Sequence, residues 1–162
     1  MTFIFMGMNV RAILTCALTS CLLVIAVIDW RTYEIPVGLN VFIAVIGVIN
    51  LVTDYKNWPI YIIGAISVSG FLLLLYIFSK GRAIGGGDIK LMAAAGLFIG
   101  GPKIVLAFVI GCILGSIIHI IRMKVSGQEH VLAFGPYLAA GIFIAQLFGQ
   151  QMIYAYLQAV GL

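Results

Sequence analysis

Residues 60–78 read IYIIGAISVSGFLLLLYIF, an apolar run of 19 positions without one charged side chain. A helix needs about 20 such residues to cross the hydrocarbon core of a bilayer, so this stretch points to lipid as its solvent. Polar connections flank it, TDYKNWP at 53–59 and SKGRAIGGGD at 79–88, and the apolar pattern resumes beyond both. Working outward gives six spans: Ala12 to Ile28, Val37 to Val52, Ile60 to Phe78, Ile89 to Gly100, Ile104 to Ile121 and Tyr137 to Leu157. The fourth is short, which marks it as a helix buried among the others or entering from a sunken loop. Membrane β-strands would alternate apolar and polar residues, and these runs do not. The expected fold is all-α: a polytopic membrane helical bundle of about six transmembrane helices, forming a single membrane-embedded domain over 1–162.

Composition agrees. The chain is 64% hydrophobic and 9% charged, whereas a soluble domain carries about 25% charged residues. The net charge of +4 comes from basic residues scattered singly between apolar runs. They read as loop anchors, and with no basic patch interleaved with aromatics, nucleic acid is excluded as a partner. Cys16, Cys21 and Cys112 lie within apolar runs and form no C-x-x-C pair; with His119 and His130 as the only histidines, no zinc-ligand spacing exists. The cysteines read as small packing residues, and neither metal nor cofactor is expected. Gly111 and Gly115 make a small-x-x-x-small step suited to close helix approach. Arg11 and the LTSC at 18–21 resemble the start of a processed leader, but the apolar run continues through Ile28, so cleavage would cut a span in half. Nothing in the sequence sets an oligomeric state.

Lys and Arg in short loops set orientation. Arg31, Lys80, Arg82, Lys90, Arg122 and Lys124 belong to one side, and Arg11, Lys56 and Lys103 to the other. The first set is expected in the cytoplasm of a plasma or inner-membrane protein, with both termini outside; Arg11, before the first span, argues locally the other way.

Five acids exist: Asp29, Glu34, Asp54, Asp88 and Glu129. An ionised Asp at mid-bilayer costs about 2.5–3.5 kcal/mol on insertion scales, so carboxylates near membrane depth need a reason. Asp54 beside Lys56, and Glu129 in the polar stretch 124–130, read as solvated loop residues. Asp29 closes the first span in VIDWR at 27–31, where it serves either as an interfacial carboxylate paired with Arg31 or as a site residue. Asp88 ends GGGD at 85–88, where it serves either as a cap for the fourth helix or as a site residue. The Walker pattern that would make this glycine run a phosphate cradle is absent. The two aspartates belong to the first and third connections, which share a face of the membrane. If they meet, like charge and partial burial stop both ionising together. One then takes a proton from water while the other polarises a peptide carbonyl.

The residues GGGDIKL at 85–91 resemble the Gly-x-Gly-Asp signature of the type IV prepilin peptidase family. Asp29, Arg31 and the later Ile35-Pro36 resemble that family's first aspartate motif, and AFGPYLAAG at 133–141 resembles a third segment opening its last span. Gly-x-Gly-Asp alone is shared with presenilin-like and signal-peptide-peptidase-like proteases; three elements in order are more specific. The resemblance implies a membrane aspartic endopeptidase that removes the short basic leader of a prepilin, pseudopilin or Flp-type subunit at the cytoplasmic face. Asp29 and Asp88 would be catalytic, with Gly85, Gly87, Lys90 and Arg31 shaping the loop or binding substrate. Long members carry an N-terminal extension with paired C-x-x-C motifs linked to zinc and N-methylation. With no such extension here, the resemblance implies peptidase activity alone. Rival readings are a small transporter or channel component, whose matching broken halves are not seen here, and a catalytically inactive pilus-assembly scaffold.

Overall fold

A computed structural model describes residues 10–82, 84–126 and 133–161. Glu129 and His130 lie outside the described residues. The described chain forms six α-helices: α1 Val10–Thr32, α2 Val37–Thr53, α3 Trp58–Phe78, α4 Gly86–Ile99, α5 Gly101–Ser126 and α6 Gly135–Val160, with a 3-10 turn at Tyr55–Asn57 leading into α3. Four are long and apolar enough to cross a membrane: Val10–Thr32, Tyr55–Phe78, Gly101–Lys124 and Gly135–Val160; Val37–Thr53 is a shorter apolar helix. Each expected span falls on one helix, and the chain is an all-α membrane bundle.

The bundle turns many large apolar side chains outward. Ile63, Ile66, Phe71, Leu74, Ile77 and Phe78 of α3 are all exposed. In water such a surface would drive aggregation; against lipid tails it is the ordinary solvent-facing surface.

Inside lies α4. Its Leu91, Met92 and Ala95 are fully buried, and it contacts α2, α3, α5 and α6. At 1.5 Å per residue its 14 residues span about 21 Å, short of the roughly 30 Å hydrocarbon core, which suits a helix enclosed by the others.

Two features hold α4 in place. Asn40 and Asn50 of α2 are both buried. Asn40 Nδ2 donates to the Gly87 carbonyl at 3.4 Å and Asn50 Nδ2 to the Phe98 carbonyl at 3.0 Å, one near each end of α4. On the opposite flank Gly64 of α3 meets Gly96 of α4 backbone to backbone: a Cβ on either would run into the other's carbonyl oxygen. Gly141 of α6 meets the Ala107 carbonyl of α5 in the same way, while Gly111 and Gly115 lie against Leu138 and Phe134, so the small-residue step does serve packing. Between α4 and α5 stands Gly100 alone, with φ +86°, a left-handed conformation that costs glycine little and lets one helix fold directly into the next.

At the far end from Asp29, Asp54 does more than sit in solvent. It accepts from Tyr61 Oη at 2.7 Å and from Asn57 Nδ2 at 2.9 Å, while Arg11 donates to Tyr61 Oη at 3.1 Å. The Tyr61 hydrogen bond is the largest influence holding the Asp54 carboxyl below its usual range, with Asn57 and the Arg11 charge adding to it and desolvation opposing. This network ties α1, the 3-10 turn and α3 together.

Substituting Gly64→Val should lower stability by about 1–3 kcal/mol, since neither backbone can move aside. Gly38→Ala, with nothing within 4 Å of its Cβ position, should stay within about 0.5 kcal/mol of the parent. Unfolding in detergent measures both.

Candidate active site

The site forms where α1 ends and α4 begins. Near the end of α1 Thr32 Oγ1 donates back to the Ile28 carbonyl at 2.9 Å, and the Tyr33 N–H closes on the Asp29 carbonyl at 2.9 Å. Tyr33 then takes φ +56°, the left-handed cap conformation more often left to glycine. The chain therefore reverses sharply, and Glu34 and Ile35 run back towards the bundle before Pro36 precedes α2. Ile35 lands on the start of α4: a Cβ on Gly87 would lie 3.0 Å from that of Ile35. That close approach explains why this glycine carries no side chain.

The glycine run is not simply a flexible loop. Gly86 and Gly87 already belong to the first turn of α4, Gly85 is the N-cap, and Asp88 is the third helical residue rather than the cap itself. Its carboxyl reaches back to accept the Gly85 N–H, the second half of a capping box supplied by an acid at the third position.

Asp29 and Asp88 are 5% and 8% exposed, the only charged side chains among the buried described residues. They line one cavity of about 300 Å³ together with Tyr33, Glu34, Ile35 and Gly85 to Gly87. Asp88 also borders a second cavity of about 290 Å³, walled by Leu72, Ile84, Phe108, Cys112 and Phe134. Burial pushes the Asp88 carboxyl up to about 7, helped by the nearby Asp29 charge and opposed by the Gly85 N–H. A carboxyl that titrates near neutral pH is suited to general acid–base chemistry.

Asp29 does not depend on Arg31, whose side chain is exposed. Its Oδ2 accepts the Gly135 N–H at 2.9 Å, a link across 106 residues to the first residue of α6. Trp30 is covered by the Arg122 guanidinium of α5, 5.5 Å from the ring centroid. Of the other residues singled out in the sequence, Gly85 and Gly87 line the shared cavity. Lys90 lines a neighbouring apolar groove with Asn40 and Val41. Glu34 also lines the cavity. Sequence reading missed Gly135 and Asn40 as site residues. The signals were there: a glycine in a recognised motif, and an amide inside an apolar run. Among the described residues no group of three or more His, Cys, Asp or Glu side chains converges as a metal site would require.

Residues 16–120 match the type IV leader peptidase family, a span that includes both aspartates. Curated relatives agree. The chain is 29% identical over 143 residues to a prepilin leader peptidase/N-methyltransferase of Bacillus subtilis, covering 86% of this chain and 57% of that protein. It is 31% identical over 155 residues to the protein of that name in Burkholderia pseudomallei (88% and 48%), and 26% identical over 164 residues to that of Pseudomonas putida (96% and 56%). The chain spans about half the length of these relatives. No solved structure matches it significantly.

The protonated carboxyl signal in the infrared spectrum should titrate near pH 7 and vanish in Asp88→Asn. In Asp29→Asn its midpoint should fall, because one of the two upward influences is gone, yet stay above the ordinary value of about 3.9 because burial remains. A midpoint near that ordinary value in the parent would contradict the burial and charge effects at Asp88.

Proposed function

The chain belongs to the type IV leader peptidase family, and from that premise we propose that it is a membrane aspartic endopeptidase cleaving the leader from prepilin-like subunits. The observation that carries the proposal is that two buried carboxyls, Asp29 and Asp88, line one cavity. Peptide hydrolysis by such a pair needs no metal and no covalent intermediate. The charged carboxylate takes a proton from water, and the water oxygen bonds to the scissile carbonyl carbon. The protonated partner donates to the carbonyl oxygen, giving a neutral tetrahedral diol. Collapse of the diol breaks the C–N bond as a proton passes to the leaving nitrogen, and the pair returns to one proton and one charge.

The proposed side of the membrane is the cytoplasm. Six of the nine Lys and Arg residues belong to the end of the bundle that carries Asp29 and Asp88, and short cytoplasmic loops concentrate such charge. A basic leader meets local compensation there, because Glu34 lines the cavity beside the aspartates. The apolar cavity behind Asp88 suits an apolar side chain of the subunit's membrane segment. The proposed activity is hydrolysis within one peptidase domain, with Asp29 and Asp88 catalytic and Gly85 and Gly87 shaping the cavity. Lys90 would act on substrate only from the adjacent groove, and Arg31 from the exposed end of α1.

In membranes containing a prepilin-like substrate, Asp29→Asn and Asp88→Asn should each reduce cleavage by at least about 10²-fold with protein level and insertion unchanged. The parent's rate should fall above about pH 7, as Asp88 loses its proton, and again in acid, as the second carboxyl gains one. Full cleavage by either variant would sink the mechanism, and pilus assembly supported by both would favour a scaffold.

A further inference from the structure

The segment AFGPYLAAG at 133–141 has no role in the mechanism above, yet one of its backbone groups touches the site. The first turn of α6 leaves little to donate. Its N-cap, Phe134, makes no side-chain cap, Pro136 has no N–H, and the N–H groups of Tyr137 and Leu138 both close on the Phe134 carbonyl at 3.1 Å. Gly135 is left, and its N–H donates across the bundle to Asp29 Oδ2 at 2.9 Å. A Cβ at position 135 would lie 2.7 Å from that oxygen and 2.8 Å from the carboxyl carbon, so any side chain must displace the carboxyl.

We propose that Gly135 is a positioning residue, whose N–H at the start of α6 holds Asp29 as the charged, water-activating member of the pair and leaves the proton on Asp88. Asp29 lies in the last turn of α1, where free carbonyls make the helix end negative and resist a carboxylate. The N-terminus of a 26-residue helix supplies the opposite field, and an N–H bonds a charged carboxylate more strongly than a neutral one. Burial opposes the charged form of both carboxyls, against the Gly135 N–H at Asp29 and the Gly85 N–H at Asp88; at Asp88 the Asp29 charge adds to burial. The other groups facing Asp29 do not replace Gly135. Glu34 and Tyr33 share its cavity, Arg122 is engaged over Trp30, and Tyr137 is buried two residues along α6.

This inference rests on the peptidase reading, and the test separates the two. The full chain in nanodiscs is assayed on a peptide with a prepilin-type leader. Gly135→Ala should lower kcat on the order of 10²-fold with KM changed less than about threefold. The acid limb of its kcat profile should move up by about one pH unit, because a hydrogen bond to a charged group is lost. An unchanged kcat, or a lower one with an unmoved acid limb, would overturn the proposal. The parent protein supplies a second arm that needs no variant. A peptide-like epoxide alkylates a charged carboxylate, so mass spectrometry should find the ester on Asp29, and an ester on Asp88 would overturn the assignment. Absence of cleavage by the parent would instead refute the peptidase reading.

Discussion

A polar group that leaves water for a bilayer must find its partner inside the chain, and this one requirement organises the bundle. The buried polar side chains do not pair at random. Asn40 and Asn50 reach from α2 to carbonyls near the two ends of α4. Asp54, Tyr61, Asn57 and Arg11 form a network at one end of the molecule. Asp29 reaches from α1 to the backbone of α6 at the other. Apart from the local Asp54 bonds to Asn57 and Tyr61, these links join segments distant in sequence, so they also set how the helices stand against one another.

Close approach is the second consequence. Lipid tails are as apolar as leucine, so helices gain little from burying leucine against each other and more from backbone contact over small residues. Gly64 on Gly96, and Gly141 on Ala107, are contacts of this kind. They also bear on the site. The first pair fixes the depth of α4, and the second brings α6 against α5, so the N-termini carrying Asp88 and Gly135 are placed by packing remote from the chemistry.

Much of this was legible in the sequence because its signals are local. Unbroken apolar runs located all six helices, and the shortness of 89–100 correctly marked a buried one. The two aspartates stood out because charge is costly in that setting. What escaped depends on long-range geometry. The exposed Arg31 was an obvious local partner for Asp29, but the true partner is a backbone N–H 106 residues away, and no sequence pattern encodes a backbone donor. The triple glycine read as part of the connection that leads into Asp88. Here two of the three open α4, where Ile35 covers one of them. Asp54 read as solvated because its bond to Tyr61 depends on how the 3-10 turn folds the chain back.

The choice of donors at the site has a chemical reason. A charged carboxylate in an apolar setting needs hydrogen-bond donors, and the strongest available are Lys and Arg. Six of these residues belong to this end of the bundle, yet the described residues lining the cavity include none of them. A cation within about 4–6 Å of either aspartate would favour the charged form of both. The pair would then keep no proton for the carbonyl oxygen. A peptide N–H at a helix start bears only partial charge. It orients a carboxylate and biases it towards ionisation less strongly than a full charge would, so burial and like charge still act on both aspartates. Gly135 and Gly85 supply such donors without side chains that would fill the cavity or collide with the carboxyl groups. The arrangement gives each buried aspartate one backbone donor and keeps full positive charge out of the cavity lining.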